Sequence, residues 1–253
     1  MRRRMFAYVA ALAGLGCSRP ETSSSGIDRS DGRVPEFVVP AVAAGSIRID
    51  GRLDDWPEAP STGAFVSPGD GRPVSRSKVP ASARLARDDT RLLLAVEVHD
   101  VEASSPFGRD EVDPHIWERA SGVELMLQPG DGGDNRDYFE VQICAAGAVW
   151  DTRFDDYNQP VTGSGAARRY GHQEWQSGAE RAVSVEPGRW VVELALPFAS
   201  LAPSRAALPP RPNDVWRANL YAFRDGQREA SAWSPILGQG NFHRSTRWGR
   251  LRF

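Results

Sequence analysis

Apolar and polar residues alternate with a period of two along most of the chain from Ser46 to Phe253, and no stretch sustains the 3.6-residue period of an amphipathic helix. A short alternating run, Ser46-Ile47-Arg48-Ile49, leads into an Asp50-Gly51 turn. Ala83 and Leu85 then fall on one side, and past Asp88-Asp89 so do Leu92, Leu94, Val96 and Val98, which predicts a β-hairpin closed by a tight polar turn. The next sets are Val123, Leu125 and Leu127, and, beyond a polar interval at 129–136, Phe139, Val141 and Ile143. Trp190, Val192, Leu194 and Leu196 alternate up to Pro197, Trp216, Ala218, Leu220 and Ala222 follow, and 248–253 reads as a last strand. The two sets at 190–196 and 216–222 are expected to keep one wet face. Only 198–201 invites a helical turn, and the Pro/Gly-rich interval 57–80 reads as loop with a short strand at 64–66. Many short strands without alternating helices predict an all-β antiparallel sandwich, of jelly-roll or immunoglobulin-like type, in one domain over 46–253.

The N-terminus does not fit this pattern. Arg2, Arg3 and Arg4 precede an apolar run at 5–15 that is too short to span a bilayer, which predicts an export signal over 1–17. It ends in Gly14-Leu15-Gly16-Cys17, similar to the lipoprotein cleavage box, so Cys17 is the expected lipidation site and the membrane is met only through that lipid. A plain secretory signal is the other reading. Residues 18–45 are Ser/Pro/Gly-rich and polar, and read as a flexible tether. Of the 2 cysteines, Cys144 is then left alone, so no disulfide framework is expected in spite of the oxidising compartment. A net charge of -2 removes the long-range pull that non-specific nucleic-acid binding needs.

Candidate chemistry gathers between His115 and Asp151. In the strand 122–128, Glu124, Met126 and Gln128 point away from the apolar set, and in the next strand Glu140 and Gln142 do the same. Paired across 129–136, the two strands put carboxylates and amides on one surface with Trp117 at its edge. Sugars ask for this combination, because their C–H faces stack on indole and their hydroxyls need acceptors and donors. A solvated outer sheet face accounts for the same alternation. Glu124 and Glu140 also form a candidate acid/base pair of the kind glycoside hydrolysis uses, though no nucleophile motif accompanies them. Asp131, Asp134 and Asp137 in a Gly-rich loop offer oxygens for calcium, or simply form a hairpin turn. Trp56 is read as a core plug or as a ligand contact.

Several pieces in one order resemble the family 9 carbohydrate-binding modules and their wider DOMON-like relatives. They are Ile49-Asp50-Gly51-x-Leu53-Asp54-Asp55-x-Pro57, Trp117-Glu118 before Val123-Glu124, Tyr138-x-Glu140-Val141, Gly147-x-Val149-Trp150-Asp151, Trp190-x-Val192-Glu193, Trp216-Arg217-x-Asn219, Ser231-Ala232-Trp233-Ser234-Pro235, and Phe242-His243 with Trp248-Gly249-Arg250-Leu251. The resemblance implies a β-sandwich that holds a mono- or oligosaccharide, or the end of a polysaccharide, between two tryptophans, with structural calcium away from the sugar. It assigns Trp117 to the first indole, Glu124 to the acidic hydrogen-bonding residue and Trp233 to the second indole, with Arg153 and Asn219 as further hydrogen-bonding groups. The interval from Trp117 to Glu124 is one residue longer than the family pattern, and Cys144 stands where asparagine is common. Such modules are commonly attached to hydrolases of carbohydrate catabolism, and some wider relatives bind haem through Met or His, for which Met126 with His99, His115, His172 or His243 is the candidate set. The expectation is non-catalytic sugar binding by a monomer at the cell envelope. The alternative is a structural or assembly role in which the sandwich face meets another protein.

Overall fold

The computed structural model describes residues 27–57, 61–75, 79–224, 227–238 and 240–253. The expected signal, Cys17 and the first part of the expected tether lie outside them. Two sheets pack face to face. The larger one runs in the order β1 (Glu36–Val38), β11 (Gly249–Arg252), β9 (Val215–Arg224), β4 (Gly122–Gln128), β5 (Arg136–Cys144), β6 (Val149–Asp156), with β10 (Glu229–Ala232) sharing the β9 edge with β11. The smaller one runs β2 (Ala81–Arg87), β3 (Arg91–Val98), β8 (Arg189–Pro197), β7 (Glu180–Glu186). All ladders are antiparallel except the pairing of β1 with β11. One helical turn, α1 (Ile116–Arg119), precedes β4, and a 3-10 turn at Phe198–Leu201 follows Pro197.

The alternating sets named above meet between the sheets. Val123, Leu125 and Leu127 of β4, Phe139, Val141 and Ile143 of β5, and Trp216, Ala218 and Leu220 of β9 face Leu92, Leu94 and Val96 of β3 and Trp190, Val192 and Leu194 of β8 in one apolar cluster. The β2–β3 hairpin closes as expected: Asp88 Oδ1 accepts the N–H groups of Thr90 and Arg91, a turn that an aspartate stabilises through its own side chain.

The expected wet faces are covered. On the smaller sheet, residues 42–56 fold over Ala86, Leu93, Ala95 and Ala195, and the buried Glu193 of β8 anchors them. Its carboxylate accepts N–H bonds from Asp50, Gly51 and Arg52 and from the Trp56 indole, so Trp56 is a core plug held by a hydrogen bond. The expected tether also needs correction. Within residues 27–45, β1 pairs with β11, Phe37 and Val39 enter the core, and Val42 N–H bonds Arg87 C=O on the other sheet. The polar composition concealed three inward apolar side chains, and edge pairing needs only backbone groups.

Candidate functional site

The register of the larger sheet fixes which side chains share its outer face. Glu124 lies opposite Gln142, which lies opposite Trp150; Met126 lies opposite Glu140, which lies opposite Thr152; Tyr138 lies opposite Phe154. Trp117 reaches the same place from α1. A Cβ on Gly122 would stand 2.5 Å from Phe223 Cζ and 3.0 Å from Ile116 Cγ2, so only glycine lets the helical turn seat directly on the sheet. The residue by which the Trp117 to Glu124 interval exceeds the family pattern does not turn the indole away. Trp117 meets Trp150 edge-on at 4.5 Å and stacks on His115 at 4.4 Å.

The result is a cleft of about 410 Å³ with Glu124, Glu140 and Gln142 on its floor and Trp117, Trp150, Phe154, Tyr157, Tyr170 and Phe242 among its walls. That is a size suited to a small ligand. The floor is dry: Glu124 is 1% exposed, Glu140 3% and Gln142 1%. Gln142 Nε2 donates to Glu124 Oε2 at 3.0 Å and to Glu140 Oε1 at 2.7 Å, and Gln227 Nε2 donates to Glu124 Oε2 at 3.1 Å. Three buried oxygens remain without a partner, Glu124 Oε1, Glu140 Oε2 and Gln142 Oε1. Buried acceptors left unpaired cost free energy, so three together on a cleft floor mark a place where donors belong.

Burial pushes the Glu140 carboxyl up to about 8, and burial, with the neighbouring Glu140 charge second, pushes Glu124 well above the ordinary carboxylate range. His243 stacks on Tyr157 at 4.1 Å and shares a 2.6 Å hydrogen bond with the Tyr138 hydroxyl through Nδ1. Its Nε2 stands 3.8 Å from Glu140 Oε2, beyond hydrogen-bond reach. Burial lowers its pKa to about 3, so the ring is neutral and supplies no counter-charge.

Of the residues expected at a sugar site, Trp117, Glu124, Glu140 and Gln142 come together. Trp233, Arg153 and Asn219 do not. Trp233 is 1% exposed in the core between the sheets, where its indole lies so close to Gly249 that a Cβ there would stand 2.5 Å from it. Arg153 lies opposite Phe139 in the ladder, on the other face from the cleft floor, and pairs with Asp155 at 3.0 Å. Asn219 does share the outer face but is fully buried beneath the loop after β10. It donates to Ser234 C=O and Tyr221 Oη and accepts from Ser234 N–H, which consumes its amide in holding that loop.

In the 131–137 loop, read as a calcium site or a hairpin turn, the carboxylates are engaged by arginines. Arginines neutralise the three carboxylates: Asp134 by Arg205, Asp131 by Arg217 and Arg250, Asp137 by Arg205. The Arg205 hydrogen bonds hold Asp134 far below the usual carboxylate range. No group of three His, Cys, Asp or Glu among the described residues is arranged to hold a metal ion. Met126 is fully buried with Tyr138, Phe154, Tyr221 and Trp248, a packing position beneath the floor. Cys144 is likewise buried, a free thiol whose sulfur accepts from the Ser105 hydroxyl.

Sequence reasoning missed Trp150, Phe154, Tyr157, Tyr170 and Phe242 as site residues, and named His243 only as a candidate haem ligand, not as part of this cleft. Trp150 and Phe154 were accessible to it: once 149–156 is seen as a strand paired with β5 across the turn at 145–148, its even positions must join Glu140 and Gln142. Tyr157, Tyr170, Phe242 and His243 come from loops, where no periodicity points to a face.

No family model matches the chain, and no curated protein matches it. Solved structures do. One is a Bacteroides uniformis protein provisionally assigned to carbohydrate binding, with 20% identity, a TM-score of 0.63 and coverage of 87% of this chain and 100% of that one. A second is a family 9 carbohydrate-binding module of Caldicellulosiruptor kristjanssonii in complex with glucose, with 14% identity, a TM-score of 0.56 and coverage of 86% and 94%. The same organism's family 9 module in complex with cellotriose matches with 16% identity, a TM-score of 0.55 and coverage of 85% and 93%. At such identities the likeness is one of fold: the chain is an all-β sandwich with the fold of these structures.

Proposed function

We propose that this protein binds carbohydrate without turning it over, a pyranose ring resting on Trp117 and donating hydroxyl hydrogens to Glu124, Glu140 and Gln142. The observation that carries this reading is the set of three buried, unpartnered oxygens on the floor of an aromatic-walled cleft. A sugar answers both features at once, with donors around its rim and apolar C–H groups on its faces. The fold shared with modules solved with glucose and cellotriose supports it. Tyr157 and Tyr170, rather than Trp233, supply further aromatic surface.

Hydrolysis fits the pair less well. Retaining and inverting mechanisms need one carboxyl protonated and the other ionised, whereas burial raises both Glu124 and Glu140. We further propose export and anchoring through a lipid on Cys17, on the strength of the arginine-led apolar run at 1–17. Loss of envelope fractionation in Cys17→Ala tests the anchor.

The site itself is tested by a glycan array followed by calorimetry on the purified protein. Trp117→Ala is expected to weaken binding about tenfold, ~1.4 kcal/mol, through loss of the stacking face. Binding that survives this change unaltered places the sugar elsewhere. An array with no hit leaves the sandwich face as a surface for another protein.

A further inference from the structure

The floor of the cleft lacks positive charge as well as hydrogen-bond donors. Glu124 and Glu140 hang from one amide, Gln142 Nε2, and no lysine or arginine among the described residues forms an ion pair with either. The basic side chain that stands against Glu140, His243, is held neutral by burial. Three of the other four buried carboxyls among the described residues are compensated: Asp88 has Arg91, Asp100 has Arg224, and Glu193 has four N–H donors, while Asp151 has the Ser177 N–H on Oδ2 and no cation. The cleft floor is set apart by holding two uncompensated carboxyls on one shared amide. Each of its residues, together with Gln142, presents one unpartnered acceptor oxygen at a position less than 4% exposed.

A hydroxyl has one hydrogen to give and no charge. A primary ammonium has three hydrogens, radially arranged, and a full positive charge, so it matches three acceptors and two carboxyls together. The aromatic lining adds to this, because indole and phenol faces attract a cation that has left water. The charged groups at the mouth, Arg168 and Arg169, are exposed and so are screened by solvent, unlike the floor. The phenols set against the pair, Tyr138, Tyr157 and Tyr221, are all pushed up by burial and stay neutral.

We propose that the preferred ligand is an amino sugar, its free ammonium seated on Glu124, Glu140 and Gln142 while its ring lies against Trp117. This rests on the carbohydrate reading above and narrows it to one class. The ammonium brings the counter-charge that lets one carboxyl of the pair ionise, so binding releases one proton from the pair to solvent. N-acetylation removes both the charge and two of the three hydrogens, and so removes the advantage.

Calorimetric titration of the purified protein at neutral pH with D-glucosamine, D-glucose and N-acetyl-D-glucosamine tests this directly. Glucosamine is expected to bind at least about tenfold more tightly than the other two. In the doubly substituted Glu124→Gln, Glu140→Gln protein, with folding checked by circular dichroism, the glucosamine-to-glucose affinity ratio falls to about one, whatever the absolute affinities become. Glucose or the N-acetyl sugar binding as tightly as glucosamine overturns the amine inference and leaves carbohydrate binding standing. A ratio that persists in the double variant also overturns it. Failure of all three sugars, with no other saccharide bound on the array, overturns the carbohydrate reading and this inference with it.

Discussion

Replacing Glu140 by glutamine separates the cost of a buried charge from the shape of the side chain that bears it. Glu140 is enclosed on the cleft floor, and burial moves its carboxyl from 4.5 to about 8. Below pH 4.5 it is protonated in the folded and unfolded chain alike and contributes nothing to pH dependence. Between 4.5 and about 8 the unfolded chain has given up a proton that the folded protein keeps, so stability falls as pH rises; above that the loss is complete. A displacement of about 3.5 pH units at ~1.36 kcal/mol each amounts to roughly 5 kcal/mol, an upper figure because Glu124 titrates with it. Glutamine keeps the size and has no charge to bury. Urea unfolding across this range is therefore expected to show the unliganded wild type and Glu140→Gln nearly equal in acid, with the variant ahead by several kcal/mol in mild alkali. His172, raised by its bond to Asp155, titrates in both proteins and cancels in the difference. Parallel profiles for the two proteins would refute the reasoning, since they would mean that the carboxylate is ionised at no cost on the cleft floor.

Glu193→Gln turns an acceptor of three backbone N–H groups into a side chain whose NH2 must face some of them, and is expected to cost on the order of 2–4 kcal/mol in urea, with amide exchange at Gly51 and Arg52 accelerating first. Gly122→Ala drives a methyl into Phe223 and Ile116; a loss of ~1–3 kcal/mol is expected, together with weaker saccharide binding as α1 and Trp117 shift, and wild-type affinity in this variant would show that α1 does not set the indole. Millimolar calcium or a chelator is expected to leave the melting temperature unchanged, because arginines already occupy the carboxylates of the 131–137 loop; a rise with calcium would contradict that pairing.

The sandwich was legible because its core strands obey one rule without exception: the sets beginning at Leu92, Val123, Phe139, Trp190 and Trp216 alternate strictly, and all five meet between the sheets. The same rule placed Glu124, Glu140 and Gln142 on a common face. It could not tell that the face was roofed, since the roof comes from loops whose contacts are set by tertiary packing. The floor residues were therefore read as an open surface for a sugar or a solvated outer face, though they are among the driest in the protein. Trp233 shows the opposite limit. A tryptophan within a polar Ser-Ala-Trp-Ser-Pro run has the composition of a ligand contact, and only the proximity of Gly249 reveals that the indole is a core filler. Arg153 was lost to parity: one step along β6 separates the cleft face from the core face, and approximate motif position carries no parity.

The short parallel pairing of β1 with β11 bears on how the molecule would carry a mechanical load. β1 is four strands away from β5 across the larger sheet, roughly 19 Å by strand spacing, so a held ligand and a fixed N-terminus pull on opposite flanks of the sandwich. Tension between them passes through β11, β9 and β4 at right angles to the strands, and the weakest link along that line is three residues long, clasped by Glu36 to Arg252 and Arg250. Yielding there, once Phe37 and Val39 leave the core and Arg29 and Val42 give up their bonds, would free residues 27–45 as slack of about 65 Å. Were the N-terminus held, that strand would work as a sacrificial catch, lengthening the leash before force reaches the cleft.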